Sequence, residues 1–457
     1  MALLERYDRP GPRYTSYPTA VEFHEGVDDA VYRSKLEEAD KDADAPLSLY
    51  AHLPFCEARC FFCGCNVVIT RHRDVAARYL GALDREIDLL AAALPRRRRV
   101  SQMHWGGGTP TYFEAEQMET TFRHLAGVFA FDPDAEIGVE VDPRVTTPRH
   151  LESLRRLGFN RLSLGVQDFD HEVQAAVNRV QSYDQTRDCI ELGRKLGFQS
   201  INVDLIYGLP YQRVDTFETT LERVIGLRPG RVAVYSFAFV PWIRAHMKHL
   251  PQEAMPAPET KLALLRAAAR AFTSAGYLQI GMDHFALPDD DMGKAALART
   301  LHRNFMGYST QAGRDMVALG VSGIGDVKGA LVQNVKTLTG YYQALEAGRF
   351  PIERGYVLDD DDRIRRYAIT ELMCRLRLEF GEVARQFGVD PRAYFARELA
   401  ELSGPGSPAE DGLVTLEADA IDVTELGRQF VRNVCMIFDR HHRARGTGGA
   451  PVFSRTV

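Results

Sequence analysis

Four of the seven cysteines in this chain fall within ten residues: Cys56, Cys60, Cys63 and Cys65. The other three are scattered through helical or apolar sequence and are predicted to be small buried hydrophobic residues. Two disulfides are hard to form within so short a window, and a reducing compartment disfavours them. The clustered thiols therefore indicate metal binding or redox chemistry.

Two kinds of metal centre can use such thiols. Structural zinc sites favour two separated ligand pairs, and the sequence has no second Cys-x2-Cys pair. Three closely spaced thiolates suit a four-iron cluster in which one iron has no protein ligand. Because an open position is what a catalytic metal needs, the spacing favours an iron–sulfur cluster over zinc.

The composition and charge limit the class of protein in which these thiols lie. The 457 residues are 45% hydrophobic and 26% charged, as in a globular protein, with a net charge of −6. This acidic balance argues against a nucleic-acid binder. No apolar run is long enough to span a membrane, and no secretory signal is visible. We expect a soluble, cytoplasmic chain of about three domains, or of one barrel and a smaller unit.

The middle of the chain alternates between strands and helices. Apolar β-type segments are predicted at Ser48–Leu53, Gln102–Trp105, Glu136–Val141, Arg161–Val166, Ile201–Ile206 and Val232–Phe237. Helical patterns lie between them: one capped by Asp74 with apolar positions Val75 to Leu94, then Gln117–Val128, Pro148–Leu157, Asp184–Leu196 and Thr216–Ile225. This alternation predicts parallel strands with helical crossovers, in a full or partial β/α barrel.

Polar or glycine-rich residues follow the predicted strands in turn. These are Cys56, the run Gly106-Gly-Gly-Thr-Pro110, Glu140 to Pro143, Gln167-Asp168, and Asp204 with Gly208. Active sites of β/α barrels lie at the carboxyl ends of their strands. We therefore expect these residues to meet at one mouth.

We divide the chain into an N-terminal arm over residues 1–45, a barrel with its extension over 46–355, and a helical domain over 356–457. The arm has a helical pattern near Asp28–Asp40. A predicted hairpin in the last part, at Leu413–Leu416 and Ile421–Val423, makes it resemble a winged helix. The fold class is thus α/β, followed by a mainly helical, winged-helix-like domain.

Three local expectations concern charged or capping residues. The acidic run Asp359–Asp362 is interpreted as a solvated helix start, and the basic run Arg96–Arg99 as a solvated loop. Thr424 is expected to cap one last helix that continues toward His441.

Cys56-x3-Cys60-x2-Cys63, at the end of a first barrel strand, resembles the radical S-adenosylmethionine superfamily. Followed by Gly64-Cys65-Asn66, it is similar to the family of oxygen-independent coproporphyrinogen III oxidases. Further motifs that resemble this family span nearly the whole chain: Pro12–Pro18, His104–Pro110, Gly165–Asp168, Asp204–Pro210, Gly281–Phe285 and Leu301–Phe305.

The resemblance implies a partial (β/α)6 barrel and two kinds of cofactor. Cys56, Cys60 and Cys63 would hold a 4Fe–4S cluster, while Cys65 would not be a ligand. A first S-adenosylmethionine would lie on Gly106 to Gly108, with Glu140 at the ribose and with Ile324 and Phe62 against adenine. Tyr50 and His52, on one face of the entering strand, are implied as catalytic, with Tyr50 near the sulfonium.

The family also carries a second S-adenosylmethionine. By motif position its contacts would be Phe62, Gly108, Thr109, Gln167, Arg179, Asp204 and Ala238, although Arg179 lies in a helical pattern and is open to a surface role. At position 306, where the family is expected to have Gln, this chain has Met306. Methionine does not replace an amide's hydrogen bonds, so contacts there are in question.

The implied reaction turns two propionates of coproporphyrinogen III into vinyl groups, giving protoporphyrinogen IX in haem biosynthesis. A 5′-deoxyadenosyl radical removes a hydrogen from the β-carbon of the propionate, and CO2 and one electron then leave. Arg13 and Arg303 are candidates for binding the substrate's carboxylates. The implied partners are the substrate and a flavodoxin- or ferredoxin-like electron donor, with no nucleic acid and no membrane span, for a chain expected to be a monomer.

Three alternatives remain at this stage. A haem-trafficking relative on the same fold usually lacks the fourth cysteine, which is present here as Cys65. An RNA-modifying radical enzyme is disfavoured by the acidic balance. A barrel with structural zinc leaves the glycine run and the polar strand ends unexplained.

Overall fold

The computed structural model describes residues 2–310, 315–445 and 452–456. Its strands are β1 (Leu47–Leu53), β2 (Phe55–Cys56), β3 (Val68–Ile69), β4 (Arg99–Gly107), β5 (Ala130–Val141), β6 (Arg161–Gln167), β7 (Ser200–Tyr207), β8 (Arg231–Ser236), β9 (Leu278–Ile280), β10 (His284–Ala286), β11 (His302–Asn304), β12 (Gly307–Ser309), β13 (Met316–Leu319), β14 (Ile324–Val327), β15 (Ala330–Asn334), β16 (Ile352–Val357), β17 (Arg377–Glu379), β18 (Val414–Leu416) and β19 (Ala420–Val423).

The α-helices are α1 (Ala2–Tyr7), α2 (Asp29–Asp40), α3 (Arg73–Ala93), α4 (Ala115–Val128), α5 (Pro148–Arg156), α6 (His171–Ala176), α7 (Tyr183–Leu196), α8 (Val214–Leu227), α9 (Pro258–Ser274), α10 (Asp291–Leu297), α11 (Leu338–Glu346), α12 (Asp360–Arg375), α13 (Phe380–Phe387), α14 (Pro391–Tyr394), α15 (Ala396–Ser403), α16 (Glu425–Arg428), α17 (Val431–Phe438) and α18 (Arg440–Arg445). None of these helices is both long and apolar enough to cross a membrane.

Six parallel strands form the centre of the main sheet. Its strand order is β16-β15-β14-β13-β1-β4-β5-β6-β7-β8-β10-β9, and β1 and β4 to β8 run parallel with helical crossovers between them. All six predicted strands are present. The outermost strands β16 and β9 do not pair with each other, so the barrel is open and partial, as predicted.

Parallel register brings the polar strand ends to one edge. The paired positions near that edge are His52 with Gly106, Leu53 with Gly107, Glu140 with Ser163, and Gly165 with Asp204. Helix α3 covers this region from outside with its predicted apolar face, including the fully buried Tyr79 and Ile87. The helix begins at Arg73 rather than after Asp74, which lies in its first turn. The predicted cap at Asp74 is therefore wrong by two positions, since His72 precedes the helix.

The N-terminal segment packs against two parts of the molecule. Helix α2 matches the predicted helix and buries Tyr32 and Leu36 against the barrel. Tyr14 and Tyr17 instead lie in the core of the C-terminal part. The boundaries at residues 45 and 355 stay predictions.

The C-terminal part is mainly helical, as predicted. Its hairpin β18–β19 gains a third strand, β17, that the sequence did not reveal. Thr424 accepts a hydrogen bond from Gly427 N, but helix α16, which it caps, ends at Arg428. The predicted single helix is wrong, because the chain is interrupted twice before Arg445 and forms α16, α17 and α18.

The acidic run Asp359–Asp362 begins helix α12, as predicted, but it is solvated only in part. The side chain of Asp362 is 0% exposed, 2.9 Å from Arg440 Nη2 and 2.8 Å from His441 Nε2. Asp359 and Asp361 also pair with Arg440. The run therefore anchors α18 to the start of α12.

The basic run Arg96–Arg99 is likewise not simply solvated. Arg97 is buried, pairs with Asp315 at 2.5 Å and donates to Ala45 O at 2.8 Å. Arg96 pairs with Asp40, the last residue of α2. Sequence spacing cannot show these partners, because both acids are distant along the chain.

We expect Asp362→Ala to lower the free energy of unfolding by about 2–3 kcal/mol, because it leaves Arg440 and His441 without their buried partner. Chemical denaturation followed by circular dichroism measures this loss. Asp360→Ala is the matched control: Asp360 is exposed in the same run and should cost less than about 1 kcal/mol. Equal losses in the two variants would contradict the anchoring role of Asp362.

Candidate functional site

All four clustered thiols, Cys56, Cys60, Cys63 and Cys65, line one cavity of about 420 Å³ at the carboxyl edge of the parallel strands. Cys56 ends β2, whose pairing with β3 holds the two ends of the loop together. Cys60 and Cys63 are joined by a backbone hydrogen bond of 3.2 Å. All four are free cysteines.

The donor chemistry of this loop fits an iron–sulfur cluster. Cys56, Cys60 and Cys63 share one cavity with Cys65, and this cavity has room beyond the thiols for a further ligand. Among the described residues, no three His, Cys, Asp or Glu side chains are gathered as the ligands of a metal ion. The fit therefore rests on the thiols and their shared cavity.

Two guanidinium groups lie beside Cys60. Its Sγ is 3.7 Å from Arg179 Nη1 and 3.9 Å from Arg144 Nη2. Both arginines pair with Asp142, at 3.0 and 2.7 Å. Burial disfavours the charge of Asp142, yet the two arginines outweigh it and lower its pKa. Two guanidinium groups held by one carboxylate therefore lie against the Sγ of Cys60.

Arg179 is therefore a site residue and not a surface charge. It lies between α6 and α7 rather than within a helix, is buried, and donates to Gly165 O at 2.6 Å. Sequence analysis missed Arg144, for which the pattern gave no signal. It included Asp142 only within the predicted polar strand end Glu140 to Pro143.

The glycine run is crowded by its own neighbours. Gly107 has φ +110°, and a Cβ there would lie 2.3 Å from the His52 ring. A Cβ at Gly108 would lie 2.5 Å from the backbone of Pro54. Only glycine fits these positions, which leaves the backbone uncovered where it borders the cavity.

Glu140 is fixed beside this run. It accepts a 3.0 Å hydrogen bond from Gly107 N and lies 3.5 Å from His104 Nε2. Desolvation disfavours its charge, but His104 and Gly107 outweigh that effect and lower the pKa of Glu140. Glu140 thus presents an ionised acceptor at the cavity wall.

Tyr50 and His52 share one face of β1, as predicted. Tyr50 Oη is 3.0 Å from His52 Nδ1, and His52 Nε2 is 2.9 Å from Asn66 O of the cysteine loop. The ring of Tyr50 stacks on His104 at 6.2 Å. Neither Tyr50 nor His52 lines the cavity itself. The hydrogen-bonded chain instead links the cysteine loop to β1, and the ring stack extends it to His104 on β4.

Most residues predicted for the second cofactor line the same cavity. These are Phe62, Gly108, Thr109, Gln167, Arg179 and Asp204. Thr109 Oγ1 lies 3.4 Å from Cys56 Sγ. Burial raises the pKa of Asp204 to about 6, and the negative charge of Glu140 adds to this.

Besides Tyr50, His52 and Gly106, two more predicted residues do not line this cavity. Ile324 packs with a small apolar cluster that includes Phe23 and Leu331. Ala238 is half-buried just beyond the end of β8. The adenine and second-cofactor contacts assigned to these two positions stay predictions.

A second, smaller cavity of about 140 Å³ lies within the barrel. Glu140, Ser163 and Asp204 line both cavities. Arg161 and Arg231 also line the inner one, and each has a buried nitrogen without a hydrogen-bond partner. Sequence analysis missed both arginines because they lie at the starts, not the ends, of their strands.

The other positions linked to the substrate fall in three places. Met306 lines the inner cavity. Arg303 is buried against the ring of Tyr308, with its Nε and Nη1 unpartnered. Arg13 donates to Ser236 O at 2.5 Å.

Comparison with known proteins gives two family matches. Residues 50–224 match the radical SAM superfamily, and residues 358–430 match the HemN C-terminal domain. The chain is 44% identical over 441 residues to the oxygen-independent coproporphyrinogen III oxidase of Pseudomonas aeruginosa, covering 96% of this chain and 95% of the relative. It is 43% identical over 457 residues to the enzyme of the same name from Escherichia coli, covering 100% and 98%.

One solved structure is similar over nearly the full length. It is the coproporphyrinogen III oxidase of Escherichia coli, described as a radical SAM enzyme. The TM-score is 0.90 at 43% identity, covering 94% of this chain and 97% of that chain.

Proposed function

Because this chain belongs to the oxygen-independent coproporphyrinogen III oxidases of the radical SAM superfamily, we propose how its residues divide the work of that reaction. The enzyme converts two propionates of coproporphyrinogen III to vinyl groups in haem biosynthesis, using a 4Fe–4S cluster and S-adenosylmethionine. The observation that carries the assignment of roles is the single cavity shared by Cys56, Cys60, Cys63, the glycine run and Glu140.

Cys56, Cys60 and Cys63 hold the cluster. When bound, the reduced cluster and S-adenosylmethionine supply the radical that removes a hydrogen atom from a propionate. Arg144 and Arg179 place two positive charges beside the Sγ of Cys60, and Asp142 keeps both guanidiniums in place.

Gly106 to Gly108 would hold the first S-adenosylmethionine. The uncovered backbone there accommodates its amino-acid portion, and ionised Glu140 accepts hydrogen bonds from the ribose hydroxyls. Tyr50 and His52 act as positioning residues, since both lie one contact away from the cavity. Ile324 is the proposed adenine contact.

A second S-adenosylmethionine is proposed beside the first. Its support is the set of polar strand ends on the same cavity wall, Gln167 and Asp204, together with Phe62, Gly108, Thr109 and Arg179. Ala238 completes the proposed contacts from the segment after β8.

The substrate's carboxylates require cations. Arg303 is the favoured candidate, because two of its buried nitrogen atoms have no partner. Arg13 already donates to a carbonyl, and Met306 offers apolar contact only. We further propose that a flavodoxin- or ferredoxin-like protein donates electrons to a monomeric enzyme. The cytoplasm suits its seven free thiols.

An anaerobic turnover assay tests this proposal. The protein is reconstituted with iron and sulfide, then given dithionite, S-adenosylmethionine, an electron acceptor and coproporphyrinogen III. We expect protoporphyrin after oxidation, with about two 5′-deoxyadenosines per product, one for each propionate. Deoxyadenosine without protoporphyrin would overturn the substrate assignment, and it would point to another substrate of the same radical chemistry or to the haem-trafficking relative.

We expect Glu140→Gln to weaken S-adenosylmethionine binding by about 10- to 100-fold, because a charged hydrogen-bond acceptor is worth about 1.5–3 kcal/mol. Equilibrium binding to the reconstituted protein measures this, with cluster absorbance unchanged. Glu136→Gln is the matched control: Glu136 lies on the same strand and lines only the inner cavity. Equal loss of binding in both variants would refute the ribose contact.

A further inference from the structure

The segment over residues 238–250, after β8, lies against the cysteine loop. Arg244 Nη2 donates to Gly64 O at 2.6 Å, and His246 Nε2 lies 2.8 Å from Cys63 O. The ring of Phe61 packs on His249 at 5.3 Å. The segment and the loop thus form one surface above the three proposed cluster ligands.

This surface is apolar at its centre. Trp242 and Ile243 are neighbours in a turn, and they are 54% and 55% exposed. Exposed apolar side chains that are rimmed by polar residues are typical of protein interaction sites. Cys65, in the cysteine loop, is exposed as well and also lines the cavity.

The same surface is locally basic on an acidic protein. Residues 238–250 contain Arg244, His246, Lys248 and His249 but no Asp or Glu. Arg59, Arg244 and Lys248 form no ion pair among the described residues. The acid of the adjoining loop, Glu57, is already paired with Arg73. The net charge of the whole chain is −6, so the excess of positive charge here is local. We call Arg59, Arg244 and Lys248 the cationic collar.

We propose that Trp242 and Ile243, with the collar of Arg59, Arg244 and Lys248, form the docking surface for an acidic one-electron carrier protein. The proposal rests on the proposed function, because a reaction that consumes a reduced cluster needs one electron for each cycle. The reduced carrier docks, passes one electron to the cluster beneath the loop and leaves oxidised by one electron. An apolar centre within a charged rim suits such a transient partner.

The position of the collar against the cysteine loop supports a short electron path from a docked carrier to the proposed cluster. Gly64 is exposed and does not line the cavity, whereas Cys60 and Cys63 line it. Arg244 and His246 bond to the loop's own carbonyls, so a carrier seated on the collar lies against the cluster loop. Complementary charge orients the carrier and raises its association rate.

The test measures cluster reduction by stopped-flow bleaching, with a chemically reduced acidic flavodoxin as the probe. Lys248→Glu should slow the second-order reduction about tenfold at low salt, with the difference shrinking at high salt. Trp242→Ser should weaken carrier binding about tenfold or more, as for an interface anchor. Dithionite-driven formation of deoxyadenosine should stay at the wild-type rate in both variants.

Matched controls lie elsewhere on the surface. Lys195→Glu reverses an exposed charge at the end of α7, and Leu297→Ser removes a side chain that is 66% exposed at the end of α10. Both should accept electrons at the wild-type rate.

Three results would overturn the proposal. One is reduction of Lys248→Glu and Trp242→Ser by flavodoxin at the wild-type rate. Another is an equal loss of dithionite-driven activity, which would make the segment part of the catalytic fold. The third is a wild-type dimer that Trp242→Ser dissociates, which would make the surface a self-contact. Wild-type turnover with dithionite tests the proposed function independently of any carrier.

Discussion

Cys60→Ser is expected to abolish the visible absorbance of the reconstituted cluster. Product formation should fall by more than the ~100-fold that loss of an outer-shell partner costs a metal site. A serine hydroxyl stays protonated where a thiol ionises readily, so the loop keeps only two thiolates. Cys60 is also the thiol that lies beside Arg144 and Arg179. Iron content, absorbance and anaerobic turnover measure the loss.

Cys65→Ser is the control within the same loop. Cys65 is exposed, and the resemblance to the family excludes it as a ligand. Its cluster absorbance and iron content should match the wild type, whatever happens to turnover. Loss of absorbance in Cys65→Ser would contradict the assignment of the three ligands.

Gly107→Ala is expected to lower kcat/KM about 100-fold, the cost of a misplacement of about 1 Å near the reacting groups. The new Cβ would lie 2.3 Å from the His52 ring, at a φ of +110° that side chains rarely adopt. Relieving the contact moves either the glycine run or His52, and His52 bonds to Asn66 O of the cysteine loop. Binding of S-adenosylmethionine and anaerobic turnover measure the effect.

Gly158→Ala is the control that separates the effect of backbone strain from that of a steric clash with His52. Gly158 has φ +100°, and its nearest foreign atom, on Ile137, is 3.9 Å from a new Cβ. This variant should lose about 1 kcal/mol of stability and bind S-adenosylmethionine normally. Wild-type binding in Gly107→Ala, or an equal binding defect in Gly158→Ala, would show that the glycine run does not shape the cofactor site.

Local sequence signals predicted much of this protein. The spacing of Cys56, Cys60 and Cys63 indicated a cluster, because one loop suffices to bring the three thiols together. The alternation of strands and helices predicted the open barrel, since strand and helix patterns depend on neighbouring residues. Strand ends such as Glu140 and Asp204 could be placed at one mouth because parallel strands share a direction.

Contacts between segments that are distant along the chain could not be predicted from the sequence. The pairing of Asp362 with Arg440, of Arg97 with Asp315, and of Asp142 with Arg144 and Arg179 beside Cys60 depends on how the chain folds back on itself. Charged runs look solvated in sequence, because nothing local distinguishes a surface carboxylate from one buried against a remote arginine.

The amino-acid sequence by itself determined the family and the class of its chemistry, since the cysteine spacing and the alternation of strands and helices are local properties. Only the tertiary structure decided the surroundings of that chemistry: which cations lie beside Cys60, and which surface covers the cysteine loop. Those surroundings are set by packing between segments such as residues 56–65 and 238–250, and no local pattern encodes a contact across that distance.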